Sequence, residues 1–280
     1  MVGVDLKVIW EMSDRMIKIC MAGATGWMGT ALSEAILDAD DLELVAAVAR
    51  DTAGRDIGDV LGRSPVGVAI SGDLATGLEI PCDVMIDYTH PTVAKAHVMT
   101  AIEAGVPVVL GTAGLNASDF EQIDKAARDA GVGVMAAGNF SLTAALLQHF
   151  ALFAAQHIEH FEVIDYAGAA NPNAPTGTAG ELSERLGAVR RPAMDVPIDK
   201  MLGPKEIRGA DIAGVRTHSI RLPSFTASVE AVFGIPGARL SLRHDAGESA
   251  QPYVDGTLLA VRRVGAVKGL VRGLDSLLFS

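Results

Sequence analysis

The 280-residue sequence predicts an α/β chain: a doubly wound parallel sheet followed by a smaller unit built on a sheet of its own. Three observations point there. From Met16 to Asn139, short apolar and β-branched runs alternate with helical stretches, the rhythm of strand and crossover helix. A glycine-rich turn, Gly23-Ala-Thr-Gly-Trp-Met-Gly29, separates the first such run from the first helix. After Asn139 a long helix gives way to strands with few helices between them.

IKICMAG from Ile17 reads as a strand, Ala31 to Leu37 as a helix, and LELVAAVA from Leu42 as a second strand. DVMIDY (Asp83 to Tyr88), VPVVLG (Val106 to Gly111) and VGVMAAGN (Val132 to Asn139) read as three more. Helices over Val93 to Ala104 and Ala117 to Ala130 lie between them. Next come an amphipathic helix, Leu142 to His157, a strand FEVIDYA, a helix from Ala179 to Gly187 and a Pro-rich connector. RTHSIRL, SVEAVFG and ARLSLRH read as strands of a smaller, antiparallel sheet, and the tail from Asp255 as a helix that returns to the first unit. The domain expectation is 16–138 with 252–280, then 139–251, with residues 1–15 as an extension or as an early start ahead of Met16.

Composition excludes several classes. With 23 basic against 34 acidic residues the net charge is −11, which repels nucleic acid and leaves only local pockets for phosphates. Cys20 and Cys82 lie far apart inside apolar runs, so neither a metal cluster nor a disulfide framework is expected, and a reducing cytoplasm fits. The N-terminal segment is acidic where a signal peptide is basic, and no apolar run is long enough to span a bilayer, so no membrane partner is expected.

The glycine turn has G-x-x-G-x-x-G spacing between strand and helix, where backbone amides and the positive helix end can approach a dinucleotide pyrophosphate. The second strand ends Val48-Ala49-Arg50-Asp51. A guanidinium there can clamp a 2′-phosphate, so Arg50 favours NADPH, while Asp51 keeps NADH possible and a solvated strand-end charge is the plainer reading of Arg50.

Five motifs in register resemble the 4-hydroxy-tetrahydrodipicolinate reductase (dihydrodipicolinate reductase) family of bacterial lysine biosynthesis. They are GATGWMG, Asp87-Tyr-Thr-His-Pro91, Gly111-Thr-Ala-Gly114, Ala137-Gly-Asn-Phe-Ser141 and Asn173-Ala-Pro-Thr-Gly-Thr178. The resemblance implies a Rossmann-type sheet, a mixed-sheet α+β domain that binds substrate and builds a homotetramer, and a hinge between them. It implies that Gly23, Gly26 and Gly29 bind the pyrophosphate, with Thr25, Trp27 and Met28 of the same loop, and that Tyr88, Thr89, Gly111, Thr112, Ala137, Asn139 and Phe140 complete the cofactor site. Thr176, Gly177 and Thr178 would hold a substrate carboxylate. The residues agree, since Thr-Gly-Thr at a helix start leaves N–H groups free for an anion, although Thr178-x-x-Glu181 also matches a simple capping box.

The chain departs from the family just upstream. Where the family carries E-x-H-H-x-x-K, this sequence has Ala167, Gly168 and Asn171 at the two histidine positions and the lysine position. No lysine or arginine lies between Arg128 and Arg185. A positioned acid contributes roughly 10²–10⁴-fold to such a reduction, so a replacement donor is expected. Tyr166, beside the vacated histidine, and His218 are the candidates, against the plainer readings of a packed aromatic and a hydrogen-bonded sheet residue. Arg221 is the remaining cation for one carboxylate, and Asn171 a neutral polar contact. Asp165 and Tyr166 end one strand, so only one of them faces the site. The other histidines show no ligand spacing, and no metal is expected.

The leading expectation is an NAD(P)H-dependent reductase of a C=N bond, acting on a CH–NH or CH–CH donor, with an altered small-molecule imine or amine substrate carrying at most one carboxylate. The alternatives are the lysine-pathway reaction itself and a catalytically silent NADP-binding protein.

Overall fold

The structure, a computed structural model, describes residues 15–279 as two sheets with helices packed on them. The N-terminal extension expected over 1–15 lies, apart from Arg15, outside the described residues. The first sheet takes β1 (Ile17–Ala22), β2 (Leu42–Val48), β3 (Ile70–Ser71), β4 (Val84–Asp87), β5 (Val108–Leu110) and β6 (Gly133–Ala136). Its helices are α1 (Trp27–Leu37), α2 (Ile57–Val60), α3 (Leu74–Leu78), α4 (Pro91–Glu103) and α5 (Ala117–Ala130). β4, β5 and β6 are buried along their whole length, as strands covered by helices on both faces must be.

The second unit begins with α6 (Leu142–His157), β7 (His160–Ala167) and α7 (Gly177–Val189). It continues through β8 (Ala210–Ile212), β9 (Val215–Arg221), β10 (Ala227–Ile235) and β11 (Ala238–Ala246). The chain then returns through α8 (Gln251–Val264), β12 (Gly269–Arg272) and α9 (Asp275–Leu278). The two strand orders are β12-β6-β5-β4-β1-β2-β3 and β11-β10-β7-β9-β8.

All pairings in the first sheet are parallel, as expected. The second sheet departs from the antiparallel expectation: β7 and β9 run parallel inside it, which makes it mixed, as the family resemblance implied. The first sheet also has more strands than the five expected from sequence. β3 is two residues long and β12 starts on a glycine, so neither carries a periodic signal. α1 starts four residues before the expected Ala31, because Gly26 serves as its N-cap.

In the second sheet Phe161, Val163, Val215, Val229 and Phe233 pack on Leu147 of α6 and on Leu182 and Leu186 of α7. The opposite, outer face carries Glu162, His218 and Ile220 and is bordered by the connector between α7 and β8, from which Arg208 pairs with Glu162. α8 packs Val254 and Val261 into the core of the first unit with Ile19 and Leu32. Cys20 and Cys82 come within hydrogen-bonding reach because β1 and β4 are neighbours, and both are free thiols.

Candidate active site

Beyond the C-terminal ends of β4, β5 and β6, three loops, Met28 of α1 and the start of α7 enclose a cleft of about 540 Å³. The glycine turn after β1 leads into α1 just ahead of Met28. Gly23 has φ +84°, and a Cβ there would lie 2.2 Å from the Tyr88 carbonyl oxygen. A Cβ on Gly29 would lie 1.9 Å from the Gly23 oxygen, so strand and helix meet this closely only without side chains. The Gly23 and Ala24 amides donate to the Val48 carbonyl at 2.9 and 3.1 Å. Gly26 caps α1 with no side chain, which leaves the first amides of the helix open to an anion. These features fit a dinucleotide pyrophosphate. Met28 is buried and reaches the cleft, Thr25 is half-buried, and Trp27 is exposed against the edge of Tyr253. Arg50 stands exposed two residues past the end of β2.

Asp87, fully buried at the end of β4, binds the next two loops together. One oxygen accepts from the Thr89 amide at 3.1 Å, the Thr89 hydroxyl at 2.8 Å and the Thr112 hydroxyl at 2.6 Å; the other lies 2.9 Å from His97 Nδ1. A Cβ on Gly111 would run into the Tyr88 ring, 2.1 Å away, so this glycine makes room for the aromatic wall of the cleft. The Tyr88 hydroxyl is hydrogen-bonded to Thr257 of α8 at 2.8 Å, and burial pushes its pKa up, so the phenol is held as an uncharged structural group.

The segment after β6 is fastened to α7. The Gly138 amide donates to Glu181 at 2.7 Å, and the Thr178 hydroxyl accepts from Asn139 Nδ2 at 3.1 Å and donates to the Gly138 carbonyl at 3.3 Å. α7 begins at a turn built on Asp165. This fully buried carboxylate accepts from the Thr176 amide (3.1 Å), the Thr176 hydroxyl (2.7 Å), the Ser219 hydroxyl (3.0 Å) and Arg221 Nη2 (2.7 Å). Thr176 in turn caps α7 by accepting from the Ala179 amide at 3.4 Å. The Gly177 and Thr178 amides then donate to no acceptor among the described residues, and Gly177 lines the cleft opposite Gly138. The spacing of these two amides fits an anion the size of a carboxylate, facing the loops after β4, β5 and β6.

Comparison with known proteins places the chain in a family. Residues 17–140 match the family described as dihydrodipicolinate reductase, N-terminus, and residues 142–278 its C-terminus. The chain belongs to the dihydrodipicolinate reductase family. It is 37% identical over 266 residues to the 4-hydroxy-tetrahydrodipicolinate reductase of Desulfitobacterium hafniense (strain DSM 10664 / DCB-2), covering 94% of this chain and 99% of that one. The enzyme of the same name from Thermosynechococcus vestitus is 37% identical over 268 residues, covering 94% and 97%. Among solved structures, a dipicolinate-bound dihydrodipicolinate reductase from Paenisporosarcina sp. TG-14 superposes with TM-score 0.73 at 29% identity, over 94% of this chain and 99% of that one. An amine dehydrogenase from Mycobacterium smegmatis, at 17% identity and TM-score 0.63, shares the fold alone. Membership makes the chain a pyridine-nucleotide-dependent oxidoreductase.

Against this dihydrodipicolinate reductase framework several sequence expectations change. Gly111, Thr112, Tyr88, Thr89, Ala137, Thr176 and Gly177 line one cleft with Met28. Phe140 does not: it is a core side chain, 2% exposed and tilted against Tyr88. Asn139 serves as a clamp, accepting from the Ser141 amide while holding Thr178. Asn171 shapes its own turn, accepting from the Asn173 amide at 2.9 Å. Arg221 is occupied by Asp165 and by the Asn173 carbonyl, so it braces the turn from behind. The capping box expected over Thr178–Glu181 is absent, since Thr176 is the N-cap and Glu181 bonds Gly138.

Both expected proton donors lie on the wrong face. The Tyr166 hydroxyl donates to Glu230 at 3.1 Å beneath Arg243, and His218 Nε2 lies 2.7 Å from Glu162. His218 and Glu162 border a separate cavity of about 1120 Å³ on the outer face of the mixed sheet. Strand alternation turns these side chains away from α7 and turns Asp165 and Ser219 toward it. Asp165 is the functional position that sequence reasoning misses in favour of its neighbour.

Proposed function

We propose that the chain is a 4-hydroxy-tetrahydrodipicolinate reductase that uses NADPH to add hydride to the unsaturated imine left when the 4-hydroxyl of that substrate departs as water. The observation that carries this reading is the single cleft in which the loops after β4, β5 and β6 face the open amides of α7. Identity of 37% along nearly the whole of both chains supports the substrate class. When bound, the reduced nicotinamide supplies the hydride. The chain holds the pyrophosphate on Gly23, Gly26 and Gly29, places Arg50 for the 2′-phosphate and sets Gly111, Thr112 and Ala137 against the ring. The Gly177 and Thr178 amides orient the substrate through one carboxylate. With Ala167-Gly-Ala-Ala-Asn171 offering no acid, water in the open cleft delivers the proton to nitrogen. The reading includes a cytoplasmic homotetramer assembled on the outer face of the mixed sheet, where Ile220 and Leu202 are exposed.

The same Ala167–Asn171 stretch favours a second reading, an imine reductase or amine dehydrogenase with an altered, less charged substrate. Two measurements separate them. The first reading expects rescue of a diaminopimelate auxotroph and oxidation of NADPH on freshly generated 4-hydroxy-tetrahydrodipicolinate. The second expects no rescue, with turnover confined to imines carrying one carboxylate or none.

A further inference from the structure

The cleft contains a cation that the sequence around its anion turn does not announce. Arg272 ends β12, at the edge of the parallel sheet, and enters the cleft from the side opposite the glycine turn. Its guanidinium lies over the Phe120 ring, 4.2 Å from the centroid, and Nη2 donates to Glu184 of α7 at 3.0 Å. Nε is buried and donates to nothing among the described residues. A buried N–H without an acceptor is uncommon in folded proteins, so this guanidinium is held short of its full set of partners. The Glu184 side chain is 44% exposed, and ion pairs that open to solvent are weak enough to exchange partners. Glu181 and Glu184 both border the cleft, so a dianion would be repelled there without this guanidinium.

We infer that Arg272 binds a second carboxylate of the substrate, about two turns along α7 from the Gly177 and Thr178 amides, and so selects dicarboxylates. The inference deepens the reductase reading and rests on it. The planar fork can keep Glu184 on Nη2 and offer Nη1, which donates to nothing among the described residues, to the incoming carboxylate. The two anion sites come from different units of the fold, so a dicarboxylate spanning them would tie the units together.

The test measures binding of dipicolinate and of picolinate, which has one carboxylate, to the full chain loaded with NADPH. In Arg272→Gln, dipicolinate should weaken about 10- to 100-fold while picolinate changes less than about 2-fold, the range for losing one charge-assisted contact. Arg272→Lys, which keeps the charge and loses the fork, should fall between, and Glu184→Gln should leave dipicolinate binding intact or tighter. Equal weakening of both ligands in Arg272→Gln, with a lowered melting temperature, would assign Arg272 a purely structural role and overturn the inference. Unchanged dipicolinate binding in Arg272→Gln would overturn it and leave the reductase reading standing. If the wild-type chain binds dipicolinate no better than picolinate, both fall together.

Discussion

At the residue scale the anion turn depends on Asp165, whose buried carboxylate holds Thr176, Ser219 and Arg221 in one arrangement. Removing one partner of a buried ion pair strands the other and costs about 3–5 kcal/mol. Asp165→Ala should therefore destabilise the chain by that order in a denaturant titration and abolish turnover, because the Gly177 and Thr178 amides lose their frame. Tyr166→Phe and His218→Ala should leave hydride transfer within about 2-fold of wild type, since neither side chain reaches the cleft, at a cost in stability of about 1 kcal/mol for a lost hydrogen bond. A catalytic collapse in either would return these residues to the mechanism. Part of this is legible in the sequence. Alternation says that one of Asp165 and Tyr166 faces the site, and it also says that His218 and Arg221, three apart on β9, cannot share a face. Which face looks inward is not legible, because it depends on Thr176 and β9 folding onto β7, contacts that no local pattern records.

At the scale of elements, α7 is held to the end of β6 by Glu181, and this contact is sensitive to pH. Burial raises the pKa of Glu181, against hydrogen bonds from Gly138 and Gln148 and the charges of Arg272 and Arg185 that pull it down. Its folded pKa lies above its unfolded value, so the native state holds the proton more tightly and stability falls as pH rises between the two. Glu181→Gln keeps an acceptor for the Gly138 amide and removes the ionisation. Its melting temperature should exceed that of the wild type by a few degrees at neutral pH, with the difference shrinking toward pH 4.5, close to the ordinary glutamate value. A difference independent of pH would show that the carboxyl does not titrate in this range. The helix pair itself is well marked in sequence: the pattern gives Leu142 to His157 its true ends, whereas α7 begins at Gly177, two residues before the expected Ala179. The difference arises because Thr176, not Thr178, is the cap, so the glycine between the two threonines already belongs to the helix.

At the scale of the whole molecule, the chain leaves the parallel sheet, builds the mixed sheet and comes back, and the return carries a second tie between the units. Arg185 of α7 is held by Asp275 of α9 through both terminal guanidinium nitrogens, at 2.6 and 2.7 Å, and Arg185 Nη1 also donates to Gln148 at 2.7 Å. Burial alone would lower the Arg185 pKa, but the pairing with Asp275 prevails and raises it, so this cation stays charged and needs its partner. The tail's helix α8 is legible in sequence, while β12 and α9 are not. A four-residue strand opening on Gly269 gives no periodicity, and only its pairing with β6 brings Arg272 and Asp275 to α7. Asp275→Ala should cost about 3–5 kcal/mol by leaving Arg185 buried and unpaired. Asp275→Asn, which keeps a hydrogen-bond acceptor, should cost less. Because the tie spans the units while the glycine turn lies wholly within one, KM for the imine should rise in Asp275→Ala with little change in KM for NADPH. Equal increases in both constants would mean that the C-terminal return stabilises the cofactor unit alone, and that α7 keeps its place over the cleft without it.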